Sequence, residues 1–293
     1  MRWRMPGVWS IPIITPDLHP KRAAELRARF ADRAGRTVLA EKYHIAPIKI
    51  AKTFELEHQL GAIVMDVSPG LLSGDHYELT WTAGKDTRLY LTNQSYTKVH
   101  PCEDGGQASM RQQFQLEAGA VVESMMEPIM LYKDAAFRNE TEVHMSRGSV
   151  WMQAEVLCPG RTLRGELFDY RWLDNGLKVW YEQELIFAQR QRIEPSSQQL
   201  RVAGAWGETT HIGTFFAFAE GVSTRHVDAV RHVLEELPQR DEALHFGVTL
   251  THRHGLAVLV TGRAAWHLQE LLAAAWTAMR RELLGVGPLI FRK

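Results

Sequence analysis

The chain has 293 residues, 45% hydrophobic and 23% charged, enough to bury a large core without disulfide or metal staples. Lysine plus arginine and aspartate plus glutamate both number 34, so no charge bias points to nucleic acid or an anionic membrane. Proteins or small species are the expected partners. The two cysteines, Cys102 and Cys158, are far apart and form no CxxC, which argues against a disulfide framework or zinc knuckle and fits a reducing cytoplasm.

In chain order, residues 1–21 read as a loose N-terminal extension, because Pro6, Pro12 and Pro16 interrupt the apolar residues that a signal peptide would need. Residues 22–293 then read as a single β-rich domain, and no apolar run is long enough to span a membrane. Residues 23–44 are helix-prone in composition, yet Leu26, Ala28 and Phe30 alternate with Arg27 and Arg29. Pattern decides for a hairpin turning at Ala34-Gly35. Three later segments, 79–95, 114–130 and 143–158, each carry a strand, a turn at Gly84, Gly119 or Gly148, and a second strand. That quasi-repeat predicts stacked β-structure. Asn175-Gly176 is the expected turn between strands 163–173 and 177–187. Two helices follow, 223–237 capped by Ser223 and stopped by Pro238, and 264–284 with Leu268, Leu271, Leu272, Ala275, Trp276 and Met279 on one face. That stripe reads as core rather than as a groove for a partner.

No P-loop, GxGxxG after a strand, HExxH or GxSxG is present, so the common enzyme signatures are missing. His252 and His254 would share a face of a strand and form a weak metal pair, against the plainer reading of a solvated strand end. His100 and Cys102 make a similar weak pair. Glu155 and Glu166 flank the Pro159-Gly160 turn, where a hairpin would bring their carboxylates close enough to share a proton or recruit a cation. The alternative is a structural network with Arg161 and Arg164. Glycine in the loop 69-PGLLSGD-75 admits positive φ, and Gly74 is expected there beside Asp75.

Four segments, 69-PGLLSGDHYEL-79, 94-QSYTKVHP-101, 127-EPIMLYKDAAFRNET-141 and 158-CPGRTLRGELF-168, resemble in order and spacing the urease accessory protein family UreD, also called UreH. The similarity extends back through 35-GRTVLAEKYHIAPIKI-50 and forward to about Arg292. The resemblance implies stacked sheets with β-solenoid-like winding and two flanking helices. It also implies a non-enzymatic maturation scaffold that binds apo-urease together with UreF and the GTPase UreG, with a dimer within the complex. No cofactor would be held tightly, and Ni(II) would pass transiently along an internal route. On this resemblance Asp75 matches the loop aspartate, Thr97 and Lys98 the strand-end Ser/Thr-Lys, Glu155 an acidic position before the Gly-Arg turn, and Glu166 the glutamate of Gly-Glu-x-Phe. Gly70, Gly74, Gly160 and Arg161 shape the two loops. Oxygen ligands hold Ni(II) less tightly than thiolates, which suits a conduit. PGLLSGD is less glycine-rich than the loop of many members, and Gln189 stands where some carry glutamate. Two other readings remain at this stage: a metal-dependent hydrolase using Glu155 and Glu166, or a β-rich interaction module without a metal role.

Overall fold

The computed structural model describes residues 23–103, 105–203, 205–238 and 241–291. The expected N-terminal extension, 1–21, lies outside the described residues. Strand accounts for 51% of the chain and helix for 13%, and the strands stack in β-solenoid-like coils, so the mainly-β expectation holds.

The chain enters as a hairpin of β1 (Ala23–Arg33) and β2 (Arg36–Ile45), turning through Ala34 and Gly35 with φ of 55° and 78°. Alternation has won over helix propensity because Ala24, Leu26, Ala28 and Phe30 all reach the core. A second hairpin, β3 (Ile48–Leu56) and β4 (Gln59–Asp66), opens the other sheet.

From there the chain shuttles between two sheets. The first receives β5 (His76–Ala83), β8 (Ala108–Leu116), β11 (Ala136–Met145) and β13 (Trp172–Tyr181), all parallel. The second receives β6 (Arg88–Asn93), β9 (Val121–Met125) and β12 (Val150–Cys158), parallel to β4. The turns at Gly84, Gly119 and Gly148 join β5 to β6, β8 to β9 and β11 to β12, so the quasi-repeat in the sequence is the repeating coil. Short strands β7 (Thr97–Val99) and β10 (Ile129–Leu131) pair with each other, and β10 pairs with the end of β12, giving a narrow third face.

The winding ends at antiparallel strands. β14 (Glu184–Ile193) closes on β13, while β15 (His211–Phe218) pairs with β12 and carries β17 (Gly255–Gly262) and the edge strand β16 (His245–Leu250). The helices α1 (Thr224–Glu235) and α2 (Ala265–Met279) cover the outer face of the second sheet. Ser223 caps α1, its backbone N–H donating to Nδ1 of His226 at 3.0 Å. All six residues of the α2 stripe are buried, so the stripe is core.

In-register parallel stacking sorts the interior into rows. Trp81, Phe114, Val143, Val179 and Phe187 align across the first sheet, with Phe114 edge-on to Trp151 at 6.0 Å and Trp151 against Phe218 at 6.1 Å. This half of the interior is apolar. Two rungs away the rows read Leu79, Gln112, Thr141, Leu177, Gln189 and Tyr77, Met110, Asn139, Asn175, Gln191. That half is polar.

Two expectations about turns are overturned. Asn175-Gly176 is not a turn but the middle of β13, held extended by β11 on one side and β14 on the other. The reversal lies instead at Glu182 and Gln183, with φ of 46° and 70°, and residues 163–171 form no strand. His252 and His254 lie between β16 and β17 rather than on a strand, since Thr251 N–H donates to the Gly255 carbonyl and closes the loop. His254 has φ of 54° and packs its ring against Tyr181 at 4.8 Å, so the pair shares no strand face.

Candidate functional site

The polar half of the interior encloses a cavity of about 90 Å³, room for several water molecules. Asp66, Ser68 and Tyr77 line one side, Thr97, Lys98 and Glu127 another, and Gln112, Gln153 and Glu155 the floor. Thr97 and Lys98 reach it because β7 crosses the third face. Gly70 lets the preceding loop approach, since at its φ of 131° a Cβ would fall 2.5 Å from the Lys98 carbonyl. Within the wall, Tyr77 Oη donates to Asp66 Oδ2 at 3.2 Å, and burial pushes the Tyr77 phenol above its ordinary value.

Glu155 sits on β12, which pairs with β9 on one side and β15 on the other. Its Oε2 accepts from Asn139 Nδ2 at 3.1 Å and its Oε1 from Asn175 Nδ2 at 2.5 Å. Asn139 also donates to Asn175 Oδ1 at 3.0 Å. The carboxylate is therefore clamped by two neutral amides from neighbouring coils, and burial pushes its pKa up while the amides pull it down. The arginine-paired alternative does not apply to Glu155. It applies to Glu166, whose Oε2 accepts from Arg161 Nε at 2.8 Å while Oε1 accepts from Arg161 Nη2. That hydrogen bonding holds Glu166 below the usual carboxylate range. Arg161 also lies over the Tyr132 ring at 4.3 Å, and Arg164 is exposed.

The expected approach of Glu155 to Glu166 is not found. Beyond Pro159-Gly160 the chain makes a short 3-10 turn, Thr162–Arg164, instead of a hairpin, the two carboxylates have different hydrogen-bond partners, and Glu166 lines neither of the two cavities that Glu155 borders. The hydrolase reading loses its paired acids. Among the described residues no group of three or more His, Cys, Asp or Glu is arranged to hold a metal, so His252 and His254 gain no third ligand. Burial pushes the Cys158 thiol up to about 12, so it offers no thiolate at neutral pH.

Asp75 is buried but faces elsewhere. Its Oδ2 accepts from Leu72 N–H at 2.8 Å, its backbone carbonyl accepts from Ser109 N–H, and it lines an outer cleft with Ser73 and Gln107. Gly74 has the expected positive φ, 85°. Gly74→Val should therefore destabilise the fold by about 1–2 kcal/mol, the cost of a left-handed L-residue. Denaturant titration checks this, and an unchanged midpoint would remove the special role of the loop.

Glu155 borders a second cavity as well. Gln153 and Glu155 also line a smaller cavity of about 20 Å³, which continues past Asn175, Gln189 and Thr214. This second cavity shares Gln191 and Ile212 with an open cleft of about 600 Å³ between β14 and β17, bordered by Trp206, Glu208, His245 and Arg263. The cavity that Thr97 and Lys98 border thus shares Gln153 and Glu155 with the smaller one, which in turn shares Gln191 and Ile212 with the outer cleft. Gln112, Gln153, Asn139, Asn175 and Gln191 were missed from sequence. The only available signal was polar residues at core-facing strand positions, and which of them meet depends on the stacking register.

Residues 22–292 match the family model described as UreD urease accessory protein. Urease accessory protein UreD of Acetivibrio thermocellus is 32% identical over 249 residues, covering 84% of this chain and 92% of the relative. The UreD of Bacillus sp. strain TB-90 is 28% identical over 269 residues, with 92% and 97% covered. Urease accessory protein UreH of Helicobacter hepaticus is 27% identical over 194 residues, with 66% and 77% covered. With its stacked coils matched almost from end to end, the chain belongs to the UreD family of urease accessory proteins.

Proposed function

We propose that this chain is a non-enzymatic scaffold of urease maturation that binds apo-urease together with a UreF-type protein and a UreG-type GTPase, and passes Ni(II) along its interior. The observation that carries this reading is a pair of cavities that share Glu155 in their walls, the second sharing Gln191 and Ile212 with an open cleft. Their walls supply carboxylate, amide and hydroxyl oxygens, donors that release Ni(II) more readily than thiolates do. The cargo is transient, and no resident cofactor is part of the reading. A dimer within the complex and a cytoplasmic setting complete it. Among the described residues no helix is long and apolar enough to cross a membrane.

The test is to produce urease with the rest of its operon, with and without this gene, and measure nickel in the purified enzyme. Nickel content should fall to a small fraction without the gene. Full loading in its absence would contradict the maturation role, and substrate turnover by the purified chain alone would contradict the non-enzymatic part.

A further inference from the structure

No residue of 158-CPGRTLRGELF-168 lines the two inner cavities or the open cleft joined to them, yet this loop is firmly held. Phe168 N–H donates to the Pro159 carbonyl at 2.8 Å and closes the loop at its base. The Glu166 carboxylate takes both Arg161 and the Lys133 N–H, the latter at 3.3 Å. At the tip Leu163 is fully exposed. A bare leucine on a loop that is already ordered gives up little conformational freedom on docking.

The loop runs into a cleft of about 490 Å³, off the internal cavities, whose walls include Asp134, Asp169, Glu194, Phe168, Tyr170 and Trp172. Asp134 N–H donates to the Asp169 carbonyl at 3.0 Å, which sets these two residues side by side. Among the described residues neither carboxylate has a hydrogen-bond or ion-pair partner. Tyr170 is only 5% exposed, and its hydroxyl likewise has no partner there. A nearly buried hydroxyl left unmatched is short of a hydrogen bond. The chain's own arginines do not fill this need. Arg171 gives Nη1 to the Cys102 and Gly106 carbonyls at 3.1 and 3.2 Å, and Arg192 gives Nη2 to Glu194 at 2.6 Å. Arg192 also lies over the Trp172 ring at 4.6 Å, and Arg201 stands 5.9 Å from the Phe168 ring, so both rings already attract guanidinium groups.

We propose that this cleft and the Leu163 tip form a docking surface for a protein partner, which places an arginine side chain against Asp134, Asp169 and Tyr170. A guanidinium is planar, pairs with carboxylates through several N–H donors at once and stacks on aromatic rings, whereas an ammonium is a compact point charge. The exposed leucine calls for a protein surface rather than a free cation. The inference rests on the proposed function only for which protein supplies the arginine.

The test titrates the purified full chain with three blocked tripeptides, Ala-Arg-Ala, Ala-Lys-Ala and the neutral citrulline analogue, and follows binding by saturation-transfer NMR. The arginine peptide is expected to bind saturably, at least about tenfold tighter than the citrulline peptide and tighter than the lysine peptide. Asp169→Asn should weaken it about tenfold, and Tyr170→Phe by a smaller factor. Thermal unfolding confirms that the variants are folded. If Asp169→Asn does not fold, Asp134→Asn takes its place, since asparagine tolerates the φ of 62° found there. Leu163→Ser should leave peptide binding unchanged while reducing retention of co-produced apo-urease or its accessory proteins in a pull-down.

Equal binding of the arginine and citrulline peptides would overturn the proposal, as would equal binding of the lysine peptide, the absence of saturable binding, or full retention of every partner by Leu163→Ser. Failure here is distinct from failure of the maturation role. A urease that needs this gene for nickel, beside a chain that ignores the arginine peptide, would remove the docking cleft alone. Arginine binding that depends on Asp169, beside a urease that loads fully without the gene, would leave the cleft and remove the role.

Discussion

Arg280→Ala is expected to lower the unfolding free energy by about 3–5 kcal/mol, the range for stranding one partner of a buried ion pair. Arg280 follows α2 in a π-helical turn, Arg280–Leu284, and its side chain is only 4% exposed. Its Nη1 pairs with Oε2 of Glu123, which is fully buried on β9 and also accepts from Trp276 Nε1 at 3.0 Å. The same guanidinium donates to Gln59 Oε1 at 3.2 Å and to the Gly287 carbonyl at 2.9 Å. One side chain thus ties the helix layer, the β3–β4 hairpin and the chain beyond α2 to the coil. Burial raises the Glu123 pKa even with Arg280 opposing it, so without the arginine only the Trp276 and Gln59 hydrogen bonds stand against desolvation of the carboxylate. Chemical denaturation of Arg280→Ala, Glu123→Gln and the double variant measures the coupling. A single-variant loss below about 1 kcal/mol would mean that the pair does not hold these layers together.

Glu155→Gln should leave the fold and its partner binding intact while reducing nickel in co-produced urease by roughly tenfold or more, since the proposed route would lose the carboxylate shared by its two inner cavities. Stability should respond with a definite sign. Burial raises the folded pKa of Glu155 above its unfolded value, so the folded state binds the extra proton between the two. The destabilisation from ionising Glu155 is absent below the ordinary carboxylate range and grows as pH rises through the raised folded value. The melting temperature of Glu155→Gln minus that of the native protein should therefore increase with pH. A difference that stayed flat, or fell as pH rose, would show that Glu155 is not desolvated as described. Normal urease nickel with an intact complex would place the ion elsewhere.

The parts of this fold that were legible in the sequence are those fixed by short-range pattern. Leu26, Ala28 and Phe30 alternate in a strand, Gly84, Gly119 and Gly148 mark the coil corners, and the α2 stripe runs from Leu268 to Met279. Asn175-Gly176 failed as a turn because ladders on both sides of β13 outweigh a two-residue preference, and tertiary pairing of that kind is not written locally. The same holds for the site. Glu155 stood out as an acid in an apolar strand, whereas Asn139 and Asn175 became its partners only through parallel register across coils. Glu166 looked like a second site acid because its distance from Glu155 in the chain suggested a hairpin. The 3-10 turn after Gly160 gives it to Arg161 instead.

Gln191 lines both the smaller cavity and the outer cleft, on β14 at the edge of the first sheet, where a larger side chain has least to displace. Gln191→Trp would fill the smaller cavity beside Asn175, its register partner on β13, while leaving Glu155 and both of its amides in the sequence. The measurement that bears most directly on an internal route is nickel per active site in urease co-produced with this variant, alongside pull-down of the partner proteins. The route through the cavities predicts an intact complex and urease depleted of nickel. An intact complex with fully loaded urease would contradict it.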